Sequence, residues 1–178
     1  MLGHSYDLKC AIDAISILNE RGYSNIKLFV MGDGPLKEEF KQYAIKKKIN
    51  SEFTGRLSYD EMVGRLVKAD VALNLISHGA VQSIINKHAD YLSAGLPIIN
   101  NQEVDELGVL LDKYLCGINC KNSDAYNVAD AMEKLVADIF LRKRMGVNAR
   151  KLAEERFCRK KSYAHILELI QDGAYAHE

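Results

Sequence analysis

The sequence has no excess of charge: 24 lysine and arginine residues stand against 24 aspartate and glutamate residues. That balance removes the broad basic field of a nucleic-acid coat or an acidic-membrane binder, though a local basic patch is compatible with it. No apolar run approaches the ~20 residues of a membrane span, and no signal peptide opens the chain, which together predict a soluble, cytoplasmic protein. Cysteine is scarce too. Four residues (Cys10, Cys116, Cys120, Cys158) are too few for a disulfide framework in 178 residues, and no histidine beside Cys116 and Cys120 completes a zinc set. They read as reduced thiols, and no metal site is expected. Internal repeats and low-complexity tracts are also missing. What is present is ordinary for a globular domain, 48% hydrophobic and 27% charged residues. A chain of this length buries roughly 70% of its unfolded surface, enough for one full core.

Two element types alternate along it. Residues 7–21 carry Leu8, Ala11, Ile12, Ile15 and Leu18 at helical spacing, with Ser5 or Asp7 as cap and Gly22 as stop. Residues 26–31 form a short buried strand ended by Gly32-Asp-Gly-Pro35. Pro35 then suits the first position of a helix over 36–47, whose end bears Lys46, Lys47 and Lys48. A second strand lies near 52–54, and a helix over 58–68 opens with the capping-box pair Ser58 and Glu61. Strands over 70–76, 97–100 and 117–119 alternate with helices around 86–94 and 106–114. Beyond Ser123 the pattern is helical throughout, over 124–138, 139–156 and 159–171. Such alternation predicts an α/β fold, a Rossmann-like doubly wound parallel sheet with helices on both faces and a helical C-terminus. Sheets of this kind bind ligands at the carboxyl ends of their strands. Here those ends are the 32–35 turn, the Gly55-Arg56 turn, residues 77–86 and residues 100–105.

Met31-Gly-Asp-Gly-Pro35 joins a strand to a helix through two glycines, which let backbone approach a ligand closely. Without the third glycine of a dinucleotide fingerprint, it reads on its own as a tight structural turn. Asn86-Lys-His-Ala-Asp90 is more informative. A helix starting near Asn86 points its first N–H groups into the crevice, and Lys87 adds a full charge suited to a diphosphate. Asp90 lies one turn further on the same side, where a carboxylate can accept from two sugar hydroxyls. By spacing alone an ordinary exposed aspartate fits equally well.

Lys27-Leu-Phe-Val-Met-Gly-Asp-Gly-Pro-Leu36 resembles a conserved block of the group 1 (family 4) retaining glycosyltransferases. Asn86-Lys87, followed by Asp90-Tyr-Leu-Ser-Ala-Gly-Leu-Pro-Ile-Ile99, resembles their donor-binding helix and next strand. Phe53-Thr-Gly-Arg-Leu57 and Ala69-Asp-Val-Ala-Leu73 match the strands between, and the likeness runs from about residue 2 to 170. The resemblance implies one half of a GT-B fold, in which two Rossmann-like domains face each other across a cleft. Residues 1–178 are then the nucleotide-sugar (donor) binding domain, beginning just after its first strand, with the N-terminal acceptor domain outside this chain. The implied function is retaining transfer of a hexosyl group from a nucleotide-diphospho-sugar, a UDP-sugar by default. The acceptor is a glycan or lipid-linked molecule in polysaccharide biosynthesis, and little activity is expected without the other half. No cofactor and no metal are implied.

Position by position, the resemblance places Asp90 on the ribose and Asn86 and Lys87 at the diphosphate. Gly32, Asp33 and Gly34 border the nucleotide, and Thr54, Gly55 and Arg56 lie at the base. Gln82 stands where many members carry a second carboxylate, and it cannot ionise. His78 is a crevice-loop histidine able to reach a phosphate or sugar hydroxyl, although a solvent-exposed loop residue is the simpler reading. No catalytic residue is assigned. Near the first block, where the family places an arginine and a lysine, this chain supplies only Lys9, expected to be solvated on its helix. In the last helix Tyr163, Ile166, Leu167 and Ile170 form an apolar stripe, expected to be exposed in this chain or covered by a second copy. A homo-oligomer and a peripheral membrane association of the full enzyme are compatible with this, at the cytoplasmic face of the inner membrane. Two other readings stay open: a non-catalytic nucleotide-binding or regulatory α/β module, and a fragment of a GT-B-type nucleotide-sugar epimerase.

Overall fold

The computed structural model describes residues 2–80, 86–102 and 106–158, together with 160, 161, 163, 167 and 170. Helix α1 (Leu8–Glu20) starts where the Asp7 side chain accepts from the Cys10 N–H at 3.1 Å, and Gly22 leaves it at φ +95. Its apolar stripe is buried from Cys10 to Leu18. Strand β1 (Lys27–Met31) runs through α2 (Lys37–Lys46) to β2 (Asn50–Gly55), which pairs with β1 in parallel. Pro35 does not open α2. It lies in a turn two residues earlier, because the Leu36 N–H is drawn to the Leu2 carbonyl at 3.3 Å. Helix α3 (Tyr59–Leu66) carries the expected capping box: Ser58 Oγ accepts from the Glu61 N–H at 3.3 Å, while Glu61 Oε2 accepts from the Ser58 N–H at 2.9 Å.

The second half brings β3 (Ala72–Asn74), α4 (Asn86–Ser93), β4 (Ile98–Asn100), α5 (Glu106–Tyr114) and β5 (Gly117–Asn119), then α6 (Ala125–Ala137) and α7 (Ile139–Arg156). Strand β3 is shorter than its apolar run. Leu75 gives its carbonyl to the Asp7 N–H at 3.1 Å and Ile76 bridges to Tyr6, so both leave the ladder for the segment entering α1.

The strands form two parallel ladders, β1–β2 and β3–β4–β5, not the single sheet expected. No strand among the described residues lies between β1 and β3. Ala72 and Asn74 turn their backbone to β4, through Ala72 N–H to Pro97 O (2.9 Å) and Asn101 N–H to Asn74 O (3.2 Å). Leu73 therefore faces the side away from β4. The two ladders share one core instead: Leu28, Val30, Leu75 and Ile99 pack under α1 and α6. On the opposite face Ile98 meets Leu66, Leu92, Leu107, Leu111 and Leu152 from α3, α4, α5 and α7. Helices thus cover both faces, and the all-buried β4 between them is purely apolar until its terminal Asn100.

Burial pushes the thiols of Cys10 and Cys116 up to about 12. Among the described residues, no helix is long and apolar enough to cross a membrane, and no group of acidic, histidine and cysteine side chains could hold a metal ion. Tyr163, Leu167 and Ile170 are exposed, as expected of the C-terminal stripe; Ile166 lies outside the described residues.

Candidate functional site

The carboxyl ends of the strands are organised by residues 2–7, which run across them before α1 begins. Leu2 N–H donates to the Asp33 carbonyl at 2.8 Å, Ser77 N–H to the Ser5 carbonyl at 3.1 Å, and Tyr6 bridges to Ile76. This strap touches both groups of predicted site residues.

The first group is the pair of turns after β1 and β2. Gly32, at φ +142, donates its N–H to the Gly55 carbonyl at 2.9 Å, so the turns are locked together. Gly34 has no room for a side chain, since a Cβ would lie 2.3 Å from the Leu2 carbonyl oxygen. The packing of Leu2 against the turn by itself requires glycine at this position. Asp33 accepts from the Gly34 N–H at 2.9 Å and has Lys37 Nζ at 3.6 Å, so its carboxylate serves the turn. Thr54 Oγ1 faces the carbonyls of Gly55 (3.0 Å) and Val30 (3.4 Å). Arg56 and His78 are exposed, His78 in the turn with Gly79.

The second group surrounds α4. Asn86 is exposed as its first described residue. Lys87 is half-buried with Nζ 4.5 Å from the Tyr6 ring centre, and no carboxylate among the described residues pairs with it. Burial alone pulls its ammonium down to about 8. A cation held at a helix N-terminus, short of water and of a counter-charge, is an energetically unsatisfied group that an anion would satisfy. Asp90 Oδ1 accepts from the Tyr59 hydroxyl at 3.3 Å, leaving Oδ2 uncommitted among the described residues. His88 is fully buried, held neutral by burial and by Lys87, its ionisation pulled down to about 4. Gln82 lies outside the described residues.

Lys9 is exposed on α1, as expected. Its Nζ meets Glu39 Oε1 at 2.6 Å, across a shallow depression of about 190 Å³ lined by His4, Tyr6, Leu36 and Phe40. That depression, Tyr6 and Tyr59 all escaped the sequence reading, because their roles depend on the strap and on α3 meeting α4. The asparagines that end β3, β4 and β5 escaped it as well, because the strand expected over 70–76 stops at Asn74.

A family model for the glycosyl transferases group 1 matches residues 2–152. The chain belongs to that family. As a group 1 glycosyltransferase it has solved structural relatives at low identity, which carry the fold alone. HepE of Anabaena in complex with UDP superposes with a TM-score of 0.82 at 14% identity, over 96% of this chain and 46% of that one. WaaG, a glycosyltransferase involved in lipopolysaccharide biosynthesis, gives 0.71 at 21% identity over 85% of this chain and 40% of that one. The catalytic domain of cholesterol-α-glucosyltransferase from Helicobacter pylori gives 0.75 at 17%, with 86% and 92% covered. The chain therefore spans less than half of HepE and of WaaG. No curated protein sequence gives a significant match. The Rossmann-like α/β fold of a GT-B glycosyltransferase, implied by the sequence motifs, is the fold observed.

Proposed function

We propose that this chain is the donor-binding domain of a retaining glycosyltransferase. It holds a nucleotide-diphospho-sugar, preferably a UDP-hexose, at the N-terminus of α4. The carrying observation is Lys87: a half-buried ammonium with no carboxylate partner among the described residues, on the first turn of α4, where helix N–H groups attract anions. Asp90 takes the ribose hydroxyls through Oδ2, and the joined turns at Gly32 and Gly55 border the nucleoside. The neighbours support this reading, since HepE was solved with UDP and with UDP-glucose.

In the transfer, the bond from the sugar's anomeric carbon to the diphosphate breaks as an acceptor hydroxyl adds on the same face. The hydroxyl proton passes to the departing phosphate oxygen. The growing negative charge on that oxygen is what Lys87 and the α4 amides stabilise, with no protein nucleophile required. The acceptor, a glycan or lipid-linked molecule, is bound by an N-terminal domain outside these residues, so this chain alone binds the donor and transfers little.

Calorimetry with UDP, GDP and ADP tests the proposal. UDP should bind, and Asp90→Ala should weaken it at least tenfold, about 1.4 kcal/mol. Absence of binding by all three nucleotides, or an Asp90→Ala variant that binds as wild type does, refutes it.

A further inference from the structure

Strands β3, β4 and β5 each end in asparagine, and the ladder register sets Asn74 beside Asn100 and Asn100 beside Asn119. In-register residues project to one face at strand spacing, so the three carboxamides stand in a row. They bond in sequence: Asn74 Nδ2 donates to Asn100 Oδ1 at 2.7 Å, and Asn100 Nδ2 donates to Asn119 Oδ1 at 2.9 Å. Asn119 Nδ2 then donates to the Gly108 carbonyl on α5 at 3.1 Å. At the other end, His88 Nε2 lies 3.1 Å from Asn74 Oδ1. Asn74, Asn100 and His88 are all buried.

The direction of this row follows from its last member. A backbone carbonyl only accepts, so Asn119 must present its NH2 to Gly108 and its oxygen to Asn100. The same choice is then forced on Asn100 and on Asn74, whose oxygen is left facing the imidazole. The group that meets it must be an N–H. We infer that His88 is a positioning residue, held as the Nε2–H tautomer by the amide row and locking α4 to the ends of β3, β4 and β5. Each helical residue turns by about 100°, so fixing His88 fixes where its neighbours Lys87 and Asp90 point. The inference rests on the proposed donor site only for what those two residues hold.

The row also explains a glycine inside a helix. A Cβ on Gly108 would stand 3.1 Å from Asn119 Oδ1 and 3.5 Å from Asn100 Nδ2, crowding the row against α5. The imidazole is neutral near pH 7, since burial and Lys87 hold its ionisation at about 4. It therefore carries one proton, and the amide row decides on which nitrogen.

Nitrogen-15 NMR of the imidazole in this chain reads the tautomer directly. The proton should sit on Nε2 at pH 7, and Asn119→Leu, which cuts the row at its far end, should move the Nε2 resonance and speed exchange of its proton. A second arm uses UDP as probe. His88→Leu, which keeps volume and removes the N–H, should weaken UDP at least fivefold with unchanged circular dichroism, while His88→Gln, which can donate from a similar place, should stay within twofold. A proton on Nδ1, an imidazolium at pH 7, or a His88 resonance indifferent to Asn119→Leu overturns the inference, as does a His88→Leu chain that binds UDP normally. If the wild-type chain binds no UDP, the donor-site reading falls, while the tautomer and its response to Asn119→Leu still decide the role of His88.

Discussion

Replacing Lys87 by methionine should make the protein more stable and less able to bind its donor. The ammonium sits half-buried at the start of α4, over the Tyr6 ring at 4.5 Å and with no carboxylate partner among the described residues. Its pKa of about 8, against 10.5 for an ordinary lysine, is a preference of the folded chain for the uncharged form, caused by burial. Taken whole, that difference corresponds to about 3 kcal/mol at 1.36 kcal/mol per pKa unit. Partial exposure reduces it, and the cation–π contact returns about 1 kcal/mol to the charged form. A net gain of about 1–2 kcal/mol remains for Lys87→Met at pH 7, which for a domain of this size raises Tm by roughly 3–6 °C. Its pH dependence is distinctive. Between about 8 and 10.5 the unfolded chain binds more protons at this site than the folded one, so wild-type stability rises with pH across that window. Below pH 8 the penalty is fully present, and the gap between variant and wild type should be widest there and close toward 10.5. Differential scanning calorimetry from pH 7 to 10 measures both. Because a bound diphosphate would restore the charge, UDP binding at pH 8 should take up protons, visible as a buffer-dependent enthalpy. A Lys87→Met chain that melts at or below wild type, with the same pH dependence, refutes the reasoning.

Two further outcomes concern the scaffold. Gly146→Ala places a methyl 2.5 Å from the Gly95 carbonyl oxygen where α7 crosses the end of α4. The helices must separate, and urea denaturation should show a loss of about 1–3 kcal/mol, the usual scale of overpacking. Glu61 is held below its ordinary carboxylate range by the Ser58 hydroxyl and N–H. The capping box therefore contributes stability that is present above about pH 4.5 and lost as pH falls through the lower folded value. Glu61→Gln keeps the box and should flatten that acid limb of the Tm profile without lowering stability at pH 7.

The elements that could be read from the chain are those whose cause is local. The stripe of α1, the Ser58–Glu61 box, and the bounds of α5, β5 and α7 all follow from spacing and caps within one segment. The readings that missed depend on a second segment arriving from elsewhere. Leu36 is taken from α2 by Leu2, and Leu75 and Ile76 are taken from β3 by Asp7 and Tyr6. In each case the competing partner is 30 or more residues away in sequence. Lys9 is solvated as read, but its partner Glu39, 30 residues away on another helix, could not be named. At the site, Asn86, Lys87 and Asp90 could be named from their place on α4. That Lys87 rests on Tyr6, and Asp90 on Tyr59, could not, since neither tyrosine carries a spacing signal.

The two ladders have a mechanical consequence. Within each, strands are held by directional hydrogen bonds; among the described residues no ladder bond joins the two, which meet through apolar contact beneath α1 and α6. At the crevice end the seam is stitched, where residues 2–7 bond to Asp33 on one side and to Leu75 and Ser77 on the other. The margin that carries Lys87 and the joined glycine turns is therefore also the one at which a single segment, residues 2–7, ties the two ladders together.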